Sequence, residues 1–206
     1  WNEKIELFIT CCADDPEAVT AIEKLKKLLG RCAESNIKIV AGQHAQPIFG
    51  TFARSAPATG RLHSEVISRL GPAWGQRLPS IMEDLIEMMS KRPHSGCQIN
   101  AQQLGGMSAE VPVSSTSFIH RDAIWKPWVN ATWIAGDTKG RECALGWLLD
   151  ANKLLSDYCP GVHLAQIHPH LSCHNDELND AFKNWLPGLI QLKSRLDPYG
   201  VLPPLG

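Results

Sequence analysis

The chain has 206 residues, a formal net charge of −1, 44% hydrophobic and 20% charged residues. That is the profile of a soluble globular protein of one ordinary domain, which buries roughly 70% of its unfolded surface and needs no disulfide or metal to stay folded. Neither charge sign gathers into a run, which argues against a nucleic-acid partner, and no apolar stretch approaches the roughly 18–20 residues of a membrane helix.

The first residues have no signal-peptide layout and no initiator Met, so the start reads as trimmed, processed or partial. Seven cysteines without a CxxC pair read as reduced thiols in a cytoplasmic protein. The triplet at Asn130–Thr132 is an N-glycosylation pattern and supplies the alternative, a secreted chain.

In chain order, residues 4–11 alternate and are rich in β-formers, which predicts a strand ending at Cys11 and Cys12. A helix follows, with Asp15 as N-cap, Pro16 at the first helical position and Glu17 at the positive end of the dipole. Val19, Ile22, Leu25, Leu29 and Cys32 recur at spacings of three and four and form its apolar face. Residues 37–43 read as a second strand and 46–60 as an extended loop. Residues 61–71 suggest a short helix, and 78–92 a better one, with Ile81, Leu85, Met88 and Met89 on one face.

The remainder turns β-rich. Residues 95–106, 111–121 and 123–135 read as three strands of an antiparallel meander, with turns at Gly105-Gly106 and Arg121-Asp122. Pro127 assigns the third strand to an edge or a bulge. A long helix over 139–159 carries Cys143, Trp147, Leu148, Ala151 and Leu155 on one side. Residues 161–169 read as a further strand, and 175–196 as a final helix bent near Pro187. The chain is expected to form a single domain over 1–206.

Four histidines, His163, His168, His170 and His174, lie with Cys173 in one short stretch. Zinc would need three or four convergent ligands, and no HExxH or CxxC spacing supports one, so no metal is expected. His168, His170 and His174 read as a strand end and loop leading to the final helix.

Several motifs, taken in order, carry a resemblance: Gly105-Gly106, the run TSFIHRDAIW at 116–125, Trp133, a helix ending in YCPGVHL, and a last helix with Leu192-Lys193 before Asp197-Pro198. This order resembles the C-terminal half of FAD-linked oxidases of the berberine bridge enzyme-like group, in the vanillyl-alcohol oxidase superfamily. The resemblance implies an α+β fold, an antiparallel sheet covered on one face by helices, like the substrate domain of those oxidases. Thr116, Phe118, His120, Arg121, Trp133, Lys193, Asp197 and Pro198 match the family's scaffold. The polar positions of its G-x-Y-x-N element have become His163 and Ala165, and its late Arg and Asn have become Gly188 and Trp185. No Gly-rich loop precedes a helix as a pyrophosphate site does, so no FAD domain is expected.

These readings nominate His163, where the family has a pocket-facing tyrosine, as general acid or base, with His120 as a second catalytic candidate. Trp125, Trp128 and Trp133 are candidate walls of an apolar pocket, and Asn100, Gln102 and Gln103 candidate hydrogen-bonding groups for substrate. The expected function is a flavin-independent, non-redox cyclase or isomerase, of which a pericyclase is one form, acting on a bulky apolar metabolite in natural-product biosynthesis. Two alternatives stand beside it. The chain is the substrate-binding part of an FAD-dependent oxidoreductase, or it is a non-catalytic small-molecule binder. A sheet face left bare without an FAD domain is expected to be covered in a homodimer.

Overall fold

The computed structural model describes residues 15–29, 60–116, 118–164 and 168–202, and the chain divides into two compact units, Trp1–Arg54 and Ser55–Gly206. In the first unit, helix α1 spans Pro16–Leu29. Asp15 caps it as expected: its carboxylate accepts the Glu17 and Ala18 N–H groups at 2.9 and 3.3 Å. Ile22 and Leu25 are half-buried, and Val19 is exposed. The expected strands at 4–11 and 37–43, Cys11, Cys12 and Cys32, and the loop at 46–60 apart from Gly60 lie outside the described residues.

The second unit holds the sheet. In chain order it contains β1 (Leu62–Leu70), α2 (Leu78–Ser90), β2 (Gln98–Gln103), α3 (Met107–Glu110), β3 (Trp125–Ile134), α4 (Thr138–Ser156), β4 (Gly161–Val162), α5 (His174–Phe182) and α6 (Leu186–Leu196). The four strands run antiparallel in the order β2-β3-β1-β4, with helices packed on one face. This is the expected α+β class.

The core is the contact of α4 with the inner face of β1 and β3. Ala144, Trp147, Leu148, Ala151 and Leu155 recur at helical spacing and meet Ile67, Val129, Ala131 and Trp133, with Cys97 and Leu171 closing the cluster. Burying each large aliphatic side chain here contributes about 1.5–3 kcal/mol. Leu85, Met88 and Met89 of α2 flank the same core, and Trp147 donates its indole N–H to the Met88 carbonyl at 2.9 Å. The Asp137 carboxylate caps α4 by accepting the Gly140 N–H at 2.8 Å. Cys143, expected on the inner stripe, is exposed, and its neighbour Ala144 takes that place.

Several expectations are overturned. Residues 62–70 are a strand, not a helix, and this strand lies between β3 and β4, so the sheet is no meander. Among the described residues of 111–121 there is no strand. Pro112 starts a 3-10 turn at Val113–Ser115, and the Ser115 hydroxyl donates back to the Pro112 carbonyl at 2.7 Å, offering the backbone a local partner instead of a ladder. Pro127 sits inside a central strand rather than at an edge. The β1–β3 ladder breaks off at Ser68 opposite Trp128 and resumes in the same register at the Gly71–Trp125 bridge, so the gap falls where proline has no N–H to donate. Of the strand expected at 161–169, Gly161–Val162 form β4, and residues 165–167 lie outside the described residues. The last helix breaks at Lys183, which has φ +46°, while Pro187 lies in the first turn of α6, where its missing N–H costs nothing.

Candidate functional site on the open sheet face

Strand side chains alternate between faces, so the register sorts every candidate. In β3, Trp125, Val129, Ala131 and Trp133 share the inner face. Lys126, Trp128, Asn130, Thr132 and Ile134 share the other. The pairings Gln98–Asn130, Asn100–Trp128 and Gln102–Lys126 place the even residues of β2 on that open face. The pairings Ser68–Trp128 and Val66–Asn130 do the same for β1. In β4, Gly161 pairs with Leu70, and the His163 N–H donates to the Ser68 carbonyl at 3.2 Å, extending the register one residue beyond the strand.

Asn100, Trp128, Ser68 and His163 therefore form one row across all four strands. Gln102, Lys126, Leu70 and Gly161 form the next, which is covered at its β1–β4 end, where Leu70 is buried and the His120 ring lies over Gly161. Asn100, Gln102, Lys126 and His163 make no side-chain hydrogen bond or ion pair with any described residue. The His163 Nδ1 atom is buried and without a partner. Burial, and then the nearby charge of Lys126, hold the His163 imidazole below its ordinary pKa, so it is neutral and able to accept a proton near pH 7. Burial also lowers the Lys126 ammonium.

His120 is placed by packing. Its ring lies over Gly161, on the same side of β4 as His163, and a Cβ at Gly161 would come within 2.6 Å of His120 Nδ1. Only glycine permits that approach. The ring is buried, its Nε2 donates to the Ala181 carbonyl at 3.2 Å, and Phe118 meets it edge-on at 6.1 Å. Burial, and then Lys183, lower its pKa. Its retained neighbour Arg121 reaches the Ser108 carbonyl and the Thr116 hydroxyl, tying the loop before β3 together.

Trp125, Trp133 and Gln103 are not brought to this row. Trp125 stacks on Trp74 at 4.9 Å beneath the inner face, and Trp133 belongs to the core, edge-on to His63. Gln103 pairs with Trp125 and shares its face. Asn130 lies mid-strand, and its amide donates to the Thr132 hydroxyl at 3.2 Å and to the Gly96 carbonyl at 3.4 Å. Ala165 lies outside the described residues. A hollow along Pro16, Glu17, Thr20, Ala21 and Lys24 of α1 holds none of the candidates.

The sequence reading missed Ser68 and Lys126. It also missed a polar cluster on the inner side of β1. His168, 3% exposed, directs Nδ1 at both carboxylate oxygens of the buried Glu177 at 3.0 Å. His168 Nε2 stands 3.4 Å from Glu65, close enough to pair by charge but without hydrogen-bond geometry, and His170 reaches the other Glu65 oxygen at 2.9 Å. Burial opposes the charge on His168, but the hydrogen bond and charge of Glu177 and the charge of Glu65 outweigh it, so its pKa is raised. Beside them Arg69 binds Asn152 at 2.8 Å and Asp180 at 2.7 Å. Cys173 is raised to about 11, first by burial and then by Glu177. Among the described residues no three His, Cys, Asp or Glu side chains are arranged to hold a metal ion, and no helix is long and apolar enough to cross a membrane.

The described residues do not fit the phosphates of FAD. Helices α1 and α4 are capped by their own aspartates, α5 opens on Asp176 and Glu177, and α2 and α6 open on prolines that lack a donor.

No protein-family model and no curated protein sequence matches the chain. Solved structures do. Berberine bridge enzyme from Eschscholzia californica superposes with a TM-score of 0.54 at 17% identity, over 71% of this chain and 33% of that one. Physcomitrella patens BBE-like 1 gives 0.53 at 17% identity over 69% and 29%, and a Phl p 4 variant described as a glucose oxidase gives 0.50 at 16% over 67% and 31%. The chain thus spans about a third of the length of these structures. Its fold is that of a portion of berberine bridge enzyme and its BBE-like relatives, as the resemblance in its motifs implied.

Proposed function

We propose that the open face of the sheet binds a small molecule with a flat apolar body and carries out a redox-neutral, flavin-independent isomerisation or cyclisation, as in natural-product biosynthesis. The observation that carries this reading is the row Asn100–Trp128–Ser68–His163, whose aromatic ring lies between polar groups unspent on the described fold. Trp128 stacks the ligand body. The neutral His163 imidazole takes a proton from one ligand atom and returns it to another, so no electron acceptor is consumed. The Asn100 amide donates to the ligand oxygen that gains charge as the proton leaves. His120, packed over Gly161, holds β4 in place beneath His163. A second copy of the chain covers this face in solution.

The test is proton exchange. In D2O, the protein should catalyse deuterium incorporation into ring ketones with enolisable protons, read by mass spectrometry. His163→Ala should slow it by roughly 10²–10⁴-fold, the usual contribution of a general base. A flavin absorbance spectrum in the protein as purified, or full exchange by His163→Ala, would count decisively against the reading.

The fold match supports a second reading, in which this face is the substrate wall of an FAD-dependent oxidoreductase whose cofactor is held by other residues. Intact-mass analysis of the native product separates the two, because a mass near 22.7 kDa excludes it.

A further inference from the structure

Lys126 is a cation on the open face, and no described acid pairs with it. It stands between Gln102 on β2 and the buried Leu70 on β1, is half-buried, and forms no ion pair with any described residue. A partly desolvated ammonium without a counter-ion is a cost to the free protein, and an anion delivered to it recovers that cost. Its cross-strand partner Gln102 carries an amide that can donate to a second oxygen of the same group. Strand spacing and rise place the Lys126 and His163 backbones roughly 12 Å apart, two strands over and two residues along. The ammonium lowers the pKa of His163, so the two groups act within one electrostatic field.

Resting on the reading of this face as a ligand site, we infer that its ligand is a carboxylic acid: Lys126 and Gln102 grip the carboxylate while the apolar body lies over Trp128 toward His163. Lys126 is then the residue that selects acids over their neutral analogues. The span to His163 calls for a body at least two fused rings long.

The experiment compares two probes of the same shape, 2-naphthoate and 2-naphthamide, binding to the full chain by calorimetry at low ionic strength. The native chain should bind the carboxylate about tenfold more tightly, with the preference shrinking as sodium chloride is added. Lys126→Met should bring the two within about twofold by weakening naphthoate alone. Lys126→Arg, which keeps the charge, should retain most of the preference and shows that the position tolerates substitution. Trp128→Ala should weaken both probes alike. Equal binding of the probes by the native chain, or a preference that survives Lys126→Met, overturns the assignment of Lys126 but leaves the ligand face standing. Binding of neither probe overturns the ligand face itself, and this inference with it.

Discussion

Removing the imidazole from the Glu65–His168–Glu177 cluster should be among the most destabilising single changes in this protein. Glu177 is 1% exposed, and its described side-chain hydrogen bonds all come from His168 Nδ1. His168→Ala leaves that carboxylate buried without its cation, and breaking a buried pair from one side costs about 3–5 kcal/mol. That is a large part of the roughly 5–15 kcal/mol that holds a typical domain together. Glu177→Gln keeps the shape and one hydrogen bond while removing the charge, so it should cost less, about 1–2 kcal/mol.

The sign of the pH dependence follows from the direction of the shift. His168 is raised above its ordinary 6.5, so the folded chain holds this proton to higher pH than the unfolded chain does. The stabilisation is complete below about pH 6.5 and is lost as pH rises through the folded value, at no more than about 1.4 kcal/mol per pH unit. The groups facing the ring are Glu65 of β1, Glu177 of α5 and the neighbouring His170 and Cys173, with Arg69 close by. Urea unfolding of the full chain, followed by tryptophan fluorescence between about pH 5.5 and 8.5, reads both quantities. His168→Ala should lower stability throughout and remove this component of the slope. A cost below about 1 kcal/mol, or a slope identical to the native one, refutes the reasoning.

Gly161→Ala should cost about 1–3 kcal/mol, because the new methyl meets His120 at 2.6 Å. Gly146→Ala, mid-helix in α4 with nothing within 4 Å of the added carbon, should stabilise by up to about 1 kcal/mol. Equal urea midpoints for these two variants would show that His120 does not rest on Gly161. Asp197 accepts from Lys193 and from the Val201 and Leu202 N–H groups, which lower its carboxyl to about 2. An NMR titration should find it ionised at about pH 3, and a midpoint near its ordinary 3.8 would mean that this turn is open in solution. Sedimentation at micromolar concentration should give a dimer, and a monomer alone contradicts closure of the open face by a second copy.

The helices were legible because their chemistry is local. The Asp15 cap, the three-and-four spacing of Trp147, Leu148, Ala151 and Leu155 and the apolar face of α2 all act within a few residues. The central strand was not legible. In a half-buried strand the polar residues normally face water, but β1 turns Glu65 and Arg69 inward, toward His168, Asn152 and Asp180. Ser64 and Ser68 then share the outer side with Val66, so neither face reads as apolar. The partners that make the inward charges tolerable lie 83 to 111 residues away, and no local pattern reports them. Misplacing β1 also hid the row it completes, since Ser68 is the link between Trp128 and His163. Pro127 misled for a related reason: the missing donor is absorbed by a gap in a central ladder, which takes a known partner strand to see.

The same strand explains why one histidine-rich stretch does two kinds of work. His163 continues the pairing of β4 and shares the outer side of β1 with Ser68, while His168 and His170 turn to Glu65 on its inner side. A strand one residue wide thus separates a group kept neutral by burial, and then by the charge of Lys126, from a group kept charged between carboxylates. The opposite shifts of His163 and His168 follow from that separation rather than from any difference in their neighbours along the chain. The consequence can be checked with the two alanine variants together. His163→Ala should slow proton exchange by the same roughly 10²–10⁴-fold with little change in the urea midpoint, because its Nδ1 has no partner to lose. His168→Ala should lower the midpoint sharply, and at temperatures where the variant remains folded its exchange rate should stay within a few-fold of native. If both variants lose stability equally, His163 belongs to the scaffold, and the open face has no base.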